Sequence, residues 1–356
     1  MKLREISAAI EPLHDGWTAQ AKARLNSLTK PQGSLGQLES IAERMAGIHR
    51  TLTPPAGPKA VIVMAADHGV CEEGVSAFPQ AVTEQMVRNF LNGGAAVNVL
   101  ARSAGADVFC VDMGVAADVD HPRLLVKKTV RGTSNMTKGP AMSVEMAVEA
   151  IQAGIDTVEM LKGKGYRLLA VGEMGIGNTT AAAAILSAAT GAAAELSVGR
   201  GTGIDDAGLA RKREAVRKAL QVNAPDRNDP LDILGKVGGL EIAGMAGVCL
   251  GAGMHRLPVV IDGFISTAAA LIATMIAPNA AHYLFPSHLS QEPGHALLLE
   301  QLGMSPPLRL DMRLGEGTGA VLCMSLIESA VRIMNEMATF ESAGVSGQSD
   351  AGSVAT

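Results

Sequence analysis

The chain predicts a parallel, doubly wound α/β sheet of the Rossmann-like kind, and three observations point there. Short apolar runs recur without polar alternation, at 60–65, 106–111, 168–171, 258–261, 281–285 and 308–310. Strands covered on both faces by helices read this way. Helical periods lie between these runs, at 82–102, 144–161, 206–221 and 231–254, the alternation that builds a parallel sheet. Polar residues and glycines gather where the runs end, at Asp67-His68-Gly69, Asp112-Met-Gly114, Asp262-Gly263 and Pro286-Ser-His288. That edge is where open α/β sheets bind ligands.

The ends of the chain differ. Residues 1–53 carry no strand pattern and predict two helices joined at Lys30-Pro-Gln-Gly-Ser-Leu-Gly36; residues 319–341 predict one more. The expected organisation is a small helical subdomain from 1–55 and 319–345, and a large α/β domain over 56–318 that holds the active site. The Ser/Gly/Ala-rich tail, 346–356, is expected to be disordered. The apolar stretch 264–277, ended by Pro278, is too short to span a bilayer and reads as a buried helix.

Composition narrows the function. Of 356 residues, 47% are hydrophobic and 18% charged, which suits a chain with a full core. Aromatics are only 3%, against 40 Gly and 18 Met, so few rings are available to stack on nucleobases. A net charge of −5 gives no electrostatic case for nucleic acid or an anionic membrane. The cysteines, Cys71, Cys110, Cys249 and Cys323, show no CxxC spacing. They read as reduced, mostly buried thiols of a cytoplasmic protein, not metal ligands. The amino terminus lacks a long apolar stretch, so no signal peptide is expected.

Two glycine segments carry the chemistry. In Arg313-Leu-Gly-Glu-Gly-Thr-Gly-Ala320, Glu316 stands between glycines after a strand-like run, 307–312. Apolar surroundings would raise its pKa and make it a candidate general base; capping of the next helix is the plainer role. In Gly172-Glu-Met-Gly-Ile-Gly-Asn-Thr-Thr180, a strand gives way to a glycine turn and an alanine-rich helix. The spacing is that of a phosphate loop with Asn178 in place of lysine. That loss argues against a nucleoside triphosphate. The remaining Gly175, Ile176, Gly177, Asn178 and Thr179 offer backbone N–H groups and a helix start, enough for one phosphate. An ordinary tight turn reads the same way, but Glu173 beside it has no purpose in a merely structural turn. Lys212, in Arg211-Lys-Arg213, is either a second phosphate ligand or part of a solvated helix face.

With Lys30-Pro-x-Gly-Ser-Leu-Gly-x-Leu-Glu39 and Ala66-Asp-His-Gly-Val70, these two segments closely resemble one family over about residues 1–345. It is the nicotinate-nucleotide–dimethylbenzimidazole phosphoribosyltransferases of cobalamin nucleotide-loop assembly. The resemblance implies that nicotinate mononucleotide reacts with 5,6-dimethylbenzimidazole to give α-ribazole 5′-phosphate and nicotinate. It implies Glu316 as the base and places Phe78, Met86, Met174 and Leu314 in the benzimidazole pocket, where simple core packing is the alternative. Glu173 becomes the candidate to steady positive charge on the ribosyl ring. The resemblance also implies a homodimer, and the chemistry calls for no cofactor. His68 reads as orienting its loop. The segment Ser287-His-x-Ser-x-Glu-x-Gly-His295 reads as a nucleotide-binding or subunit-contact loop in preference to a metal site. A P-loop-like nucleotide enzyme, a catalytically silent relative, and the same reaction with adenine, another benzimidazole or a phenolic base are the rival readings.

Overall fold

The computed structural model describes residues 3–346, and among these six strands make one sheet with all neighbours parallel. They are β1 (Lys59–Ala66), β2 (Ala106–Gly114), β3 (Leu125–Val126), β4 (Leu168–Met174), β5 (Val259–Ile261) and β6 (Leu284–Pro286), in the order β3-β2-β1-β4-β5-β6. This is the doubly wound α/β arrangement expected. The order reverses between β1 and β4, and at such a switch a crevice opens outside the carboxyl ends of the strands. Every residue of β1 is buried, which is why it shows no polar alternation in the sequence.

Both faces of the sheet are covered at close range. On one, the helix Leu240–His255 packs on β1 and β2, where Gly244 lies against the sulfurs of Met64 and Met113. Flexible methionine side chains fill the space a glycine-surfaced helix leaves. The same helix meets the helix Val144–Gly163 backbone to backbone. A Cβ on Gly154 would strike the Gly244 carbonyl and the Val248 amide, and one on Gly247 would strike the Ile151 backbone. On the other face, Gly317 sits over Val61 of β1 and Gly172 of β4.

Several expected elements differ in detail. The period 82–102 is two helices, Val82–Asn92 and Ala96–Ala104, parted at Gly93 with φ 78°. The period 231–254 likewise breaks at Gly238-Gly239 into Pro230–Val237 and Leu240–His255. Residues 281–283 belong to the 3₁₀ turn Pro278–Tyr283, so β6 begins only at Leu284. The run 307–312 is not a strand: it makes a single bridge, Leu308 to His288. Pro306 and Pro307 at its start have no N–H to donate to a ladder. The amino-terminal region holds three helices, Leu3–Ala9, Asp15–Asn26 and Gln37–His49, where two were expected.

By internal packing the described residues form two units, 3–11 with 57–324, and 12–56 with 325–346. The second has its own core of Ala21, Leu25, Leu28, Ala42, Ala46, Ala330 and Met334. Its turn at residues 30–36 is closed by a buried ion pair, Lys30 Nζ to Glu39 Oε1 at 2.7 Å, and Glu39 also accepts the Leu35 N–H at 3.0 Å. Residues 347–356, nearly all of the expected tail, lie outside the described residues. Among the described residues no helix is long and apolar enough to cross a membrane.

The backbone contact between helices generates a test. The obstacles around Gly154 are main-chain atoms that cannot rotate away. Gly154→Ala is therefore expected to destabilise the protein by about 2 kcal/mol or more, in the range of overpacked cores. A lower urea midpoint with an unchanged slope is the expected result.

Candidate active site

The loop after β4 makes one wall of a cavity. Gly177 has φ 97°, a left-handed conformation natural to glycine. A Cβ there would meet Cys71 Sγ at 2.8 Å, and one on Gly175 would strike the Ala66 carbonyl. The loop thus presents bare backbone, and the helix Asn178–Thr190 starts from it. Thr83 Oγ1 fixes its middle by accepting the Ile176 N–H at 3.1 Å. Behind it stands Lys212 of the helix Asp206–Asn223, only 1% exposed, with Nζ donating to Thr179 Oγ1 at 2.7 Å. Burial pulls its pKa down to about 8, although Glu292 works the other way. Glu292 Oε1 accepts the Gly201 N–H at 2.8 Å. Lys212 is therefore a buried group, not part of a solvated helix face.

Under this loop lies a buried pair, His68 Nε2 to Glu241 Oε1 at 2.7 Å. Burial opposes charge on His68, but the adjoining carboxylate outweighs it and raises the pKa. The ring and carboxylate here fill the space beside Gly175 and Gly239.

The opposite wall is the turn at residues 315–317. Gly315, Glu316 and Gly317 have φ of 85°, 64° and 87°, three left-handed residues in succession. For Glu316 that conformation is strained, of order 1–2 kcal/mol. The surroundings hold it. Gly172 of β4 has no room for a Cβ because the Glu316 carbonyl presses on it. Glu173 Oε1 accepts the Glu316 N–H at 3.4 Å, and Asp262 accepts those of Gly317 at 3.1 Å and Ala320 at 2.9 Å. Glu316 is 7% exposed, and its Oε2 has no hydrogen-bond partner among the described residues. Burial raises its pKa; the Val97 N–H lowers it and the Asp262 charge adds to the rise.

Glu173 lies between the walls and accepts a short hydrogen bond from Asn178. Burial, with the charges of Asp262 and Glu241, lifts its pKa to about 8 against the pull of Asn178 and the Glu316 N–H. Burial pushes Asp262 to about 7 despite the backbone N–H groups around it.

One cavity of about 430 Å³ joins these parts, within the range of small-molecule sites. Glu173, Met174, Gly175, Ile176, Gly177, Asn178, Thr179, Phe78, Met86, Leu314 and Glu316 all line it; Lys212 reaches it through Thr179. Phe78 and Leu314, at 53% and 57% exposed, are not core residues. Sequence reading gave no role to Asp262, Thr202 or Ser76, although Asp262 carried the strand-end signal. Thr202 Oγ1 accepts the Ala77 N–H at 3.0 Å and so ties the Phe78 loop to the glycine loop at Gly201. The segment 287–295 supplies His288, Ser290 and Glu292 to the cavity. Its His295 is enclosed in protein hydrogen bonds, accepting the Ser290 N–H at Nδ1 and meeting Thr267 Oγ1 at Nε2, and burial pulls its pKa down to about 3.

Fold and cavity describe an α/β protein with a site of small-molecule size, and comparison with known proteins gives its class. The chain belongs to a phosphoribosyltransferase family whose model matches residues 10–345. Among its relatives is the nicotinate-nucleotide–dimethylbenzimidazole phosphoribosyltransferase of Geobacter metallireducens, 55% identical over 344 residues, 96% of this chain and 98% of the relative. The protein of that name from Chloroflexus aggregans is 55% identical over 343 residues, 96% and 97% of the two chains. The crystal structure of CobT from Thermus thermophilus superposes with a TM-score of 0.90 at 49% identity, covering 94% of this chain and 100% of that one.

The raised pKa of Glu173 has a consequence for stability. An unfolded glutamate ionises near 4.5, the folded one near 8. Between these values the native state holds a proton that the unfolded state has lost, so stability falls as pH rises through that window. Glu173→Gln removes the titration. It is expected to raise the melting temperature relative to the parent protein at pH 8 more than at pH 5; an equal effect at both would contradict the assignment.

Proposed function

We propose that the enzyme transfers the phosphoribosyl group of nicotinate mononucleotide to 5,6-dimethylbenzimidazole, giving α-ribazole 5′-phosphate and nicotinate for the lower ligand of cobalamin. The observation that carries this is the pairing, in one cavity, of a bare-backbone loop at a helix start with a buried carboxylate that has an unpartnered oxygen. The relatives named for this reaction, at 55% identity over almost the whole chain, support the choice of substrates.

In this reading Gly175, Ile176, Gly177, Asn178 and Thr179 take the 5′-phosphate, with Lys212 supplying positive charge through or beside Thr179. The cation is needed there because Glu292 is close by. Phe78, Met86, Met174 and Leu314 sandwich the flat acceptor base. The unprotonated ring nitrogen of the benzimidazole attacks C1′, and the C1′–N bond to the pyridinium breaks with its electron pair going to nicotinate. Nicotinate leaves neutral at nitrogen, so no general acid is required. The N–H proton of the attacking base passes to Glu316, whose raised pKa suits it to accept. Attack opposite the leaving group turns a β-linked nucleotide into an α-linked product. Glu173 faces the cation. A pyridinium or developing ribosyl charge beside it favours its ionised form, which the protein alone holds back. Atoms and charge balance with no metal or redox cofactor.

Incubation with nicotinate mononucleotide and a panel of benzimidazoles, purines and phenols, followed by mass spectrometry, tests the reaction. α-Ribazole 5′-phosphate is the expected product, and its absence would refute the reading. Glu316→Gln keeps the side chain's shape but removes the proton acceptor. Turnover at saturating substrates should fall roughly 100-fold or more, with nucleotide affinity little changed.

We also propose a cytoplasmic homodimer. The family resemblance supports it. The unpaired state of Cys71, Cys110, Cys249 and Cys323 is compatible with a reducing compartment. Sedimentation at micromolar concentration should show the dimer mass; a single species at monomer mass would refute it.

A further inference from the structure

We infer that Asp262 is a positioning residue for Glu316: from the end of β5, its two carboxylate oxygens fix the 315–317 turn so that the Glu316 side chain faces the cavity. The inference deepens the proposed function and rests on its reading of Glu316 as the base.

Asp262 does not touch the substrate space. It is 2% exposed, and the cavity wall is formed by its neighbour Gly263, not by Asp262 itself. Its oxygens divide their work. Oδ2 accepts the Gly317 N–H at 3.1 Å, inside the left-handed turn, and Oδ1 accepts the Ala320 N–H at 2.9 Å, in the first turn of the helix Thr318–Glu336. The amides of Gly319 and Gly263 lie against the same carboxylate. A helix start favours a negative charge at this place. The cap is unusual in its source: it comes from another element, 55 and 58 residues away in sequence. It therefore fixes the helix start and the turn to the sheet at once.

The turn needs such a clamp. Gly315 and Gly317 flank a left-handed Glu316, and glycines alone would let the backbone take many other conformations. Two successive amides are held from two different strands: that of Glu316 by Glu173 of β4, and that of Gly317 by Asp262 after β5. Gly172 forms the floor beneath them. Releasing Asp262 frees the far half of the turn while the glycine loop at residues 175–179 keeps its own supports, Thr83 and Lys212.

The charge of Asp262 also gives a signature that a purely structural brace would lack. The groups that bear on Glu316 are Glu173 and Asp262 from the two strand ends and the Val97 amide from the helix Ala96–Ala104. His288, with Nδ1 3.8 Å from Asp262 Oδ1, faces Asp262, and burial holds its pKa below the usual histidine range. The negative charge of Asp262 disfavours ionisation of Glu316. Asp262 carries that charge near and above pH 7, so a neutral residue at 262 should move the near-neutral part of the acid limb of the rate profile to lower pH.

The test uses the full-length protein with nicotinate mononucleotide and 5,6-dimethylbenzimidazole, comparing Asp262→Asn and Asp262→Ser with Glu316→Gln. For both Asp262 variants kcat is expected to fall roughly 10- to 100-fold, as misplacement of a reacting group by about 1 Å does. KM for the nucleotide should stay near that of the parent, and the acid limb of kcat should shift to lower pH. Parental kcat with an unmoved limb would overturn the inference. So would a fall in kcat matched by a loss of nucleotide affinity, or loss of cooperative unfolding in both variants, since either makes Asp262 a general stabiliser. An active parent with an equally active Glu316→Gln would remove the base and this inference with it, leaving the reaction standing. A parent protein that makes no product would overturn both the inference and the function it rests on.

Discussion

A cluster of buried carboxyl groups is the constraint around which this molecule is organised. Glu173, Glu241, Asp262 and Glu316 are all buried near the carboxyl ends of β1, β4 and β5, with His68 paired to only one of them. Removing carboxylates from water is costly unless hydrogen bonds or opposite charges take its place. The fold meets that cost mainly with backbone amides. The N–H groups of Glu316, Gly317 and Ala320 point inward to carboxylate oxygens, while one buried oxygen of Glu316 has no hydrogen-bond partner among the described residues. Glu241 also keeps one unpartnered oxygen, but of the two only Glu316 lines the cavity.

The doubly wound sheet makes this concentration possible. At the reversal between β1 and β4 a crevice opens outside the strand ends, and the loops after β4 and β5 reach into it. Tight packing elsewhere supports the same end. Gly154 and Gly247 bring two helices into backbone contact, and methionines of β1 and β2 fill in above Gly244. A core so poor in aromatics stays close-packed by bringing main chains together.

Much of this was readable from residues alone, for physical reasons that also mark where reading stopped. Residues 59–66 announce a central strand because both faces are covered, and the run leaves no room for a polar alternation. Gly172 to Thr180 announces its loop because glycine at 175 and 177 meets needs that no side chain meets. The run 307–312 misled because β-like composition does not supply a ladder partner, and Pro306-Pro307 withhold the donors. Gly93 and Gly238 divided helices whose apolar period runs straight across the break. Asp262 was visible as a polar residue at a strand end, but its partners, Gly317 and Ala320, are distant in sequence and no local pattern names them. The family resemblance led to Phe78, Met86, Met174 and Leu314; periodicity would have left them as ordinary core.

The lining of the cavity is made of two kinds of material. One is main chain, at Gly175, Ile176, Gly177 and Gly201, where substitution can do little except obstruct. The other is side chain, at Phe78, Met86 and Leu314, two of them more than half exposed and so free to change without disturbing a core. Exchange of the exposed side chains would reshape the cavity without disturbing a core, whereas any side chain added to the main-chain part would only obstruct it.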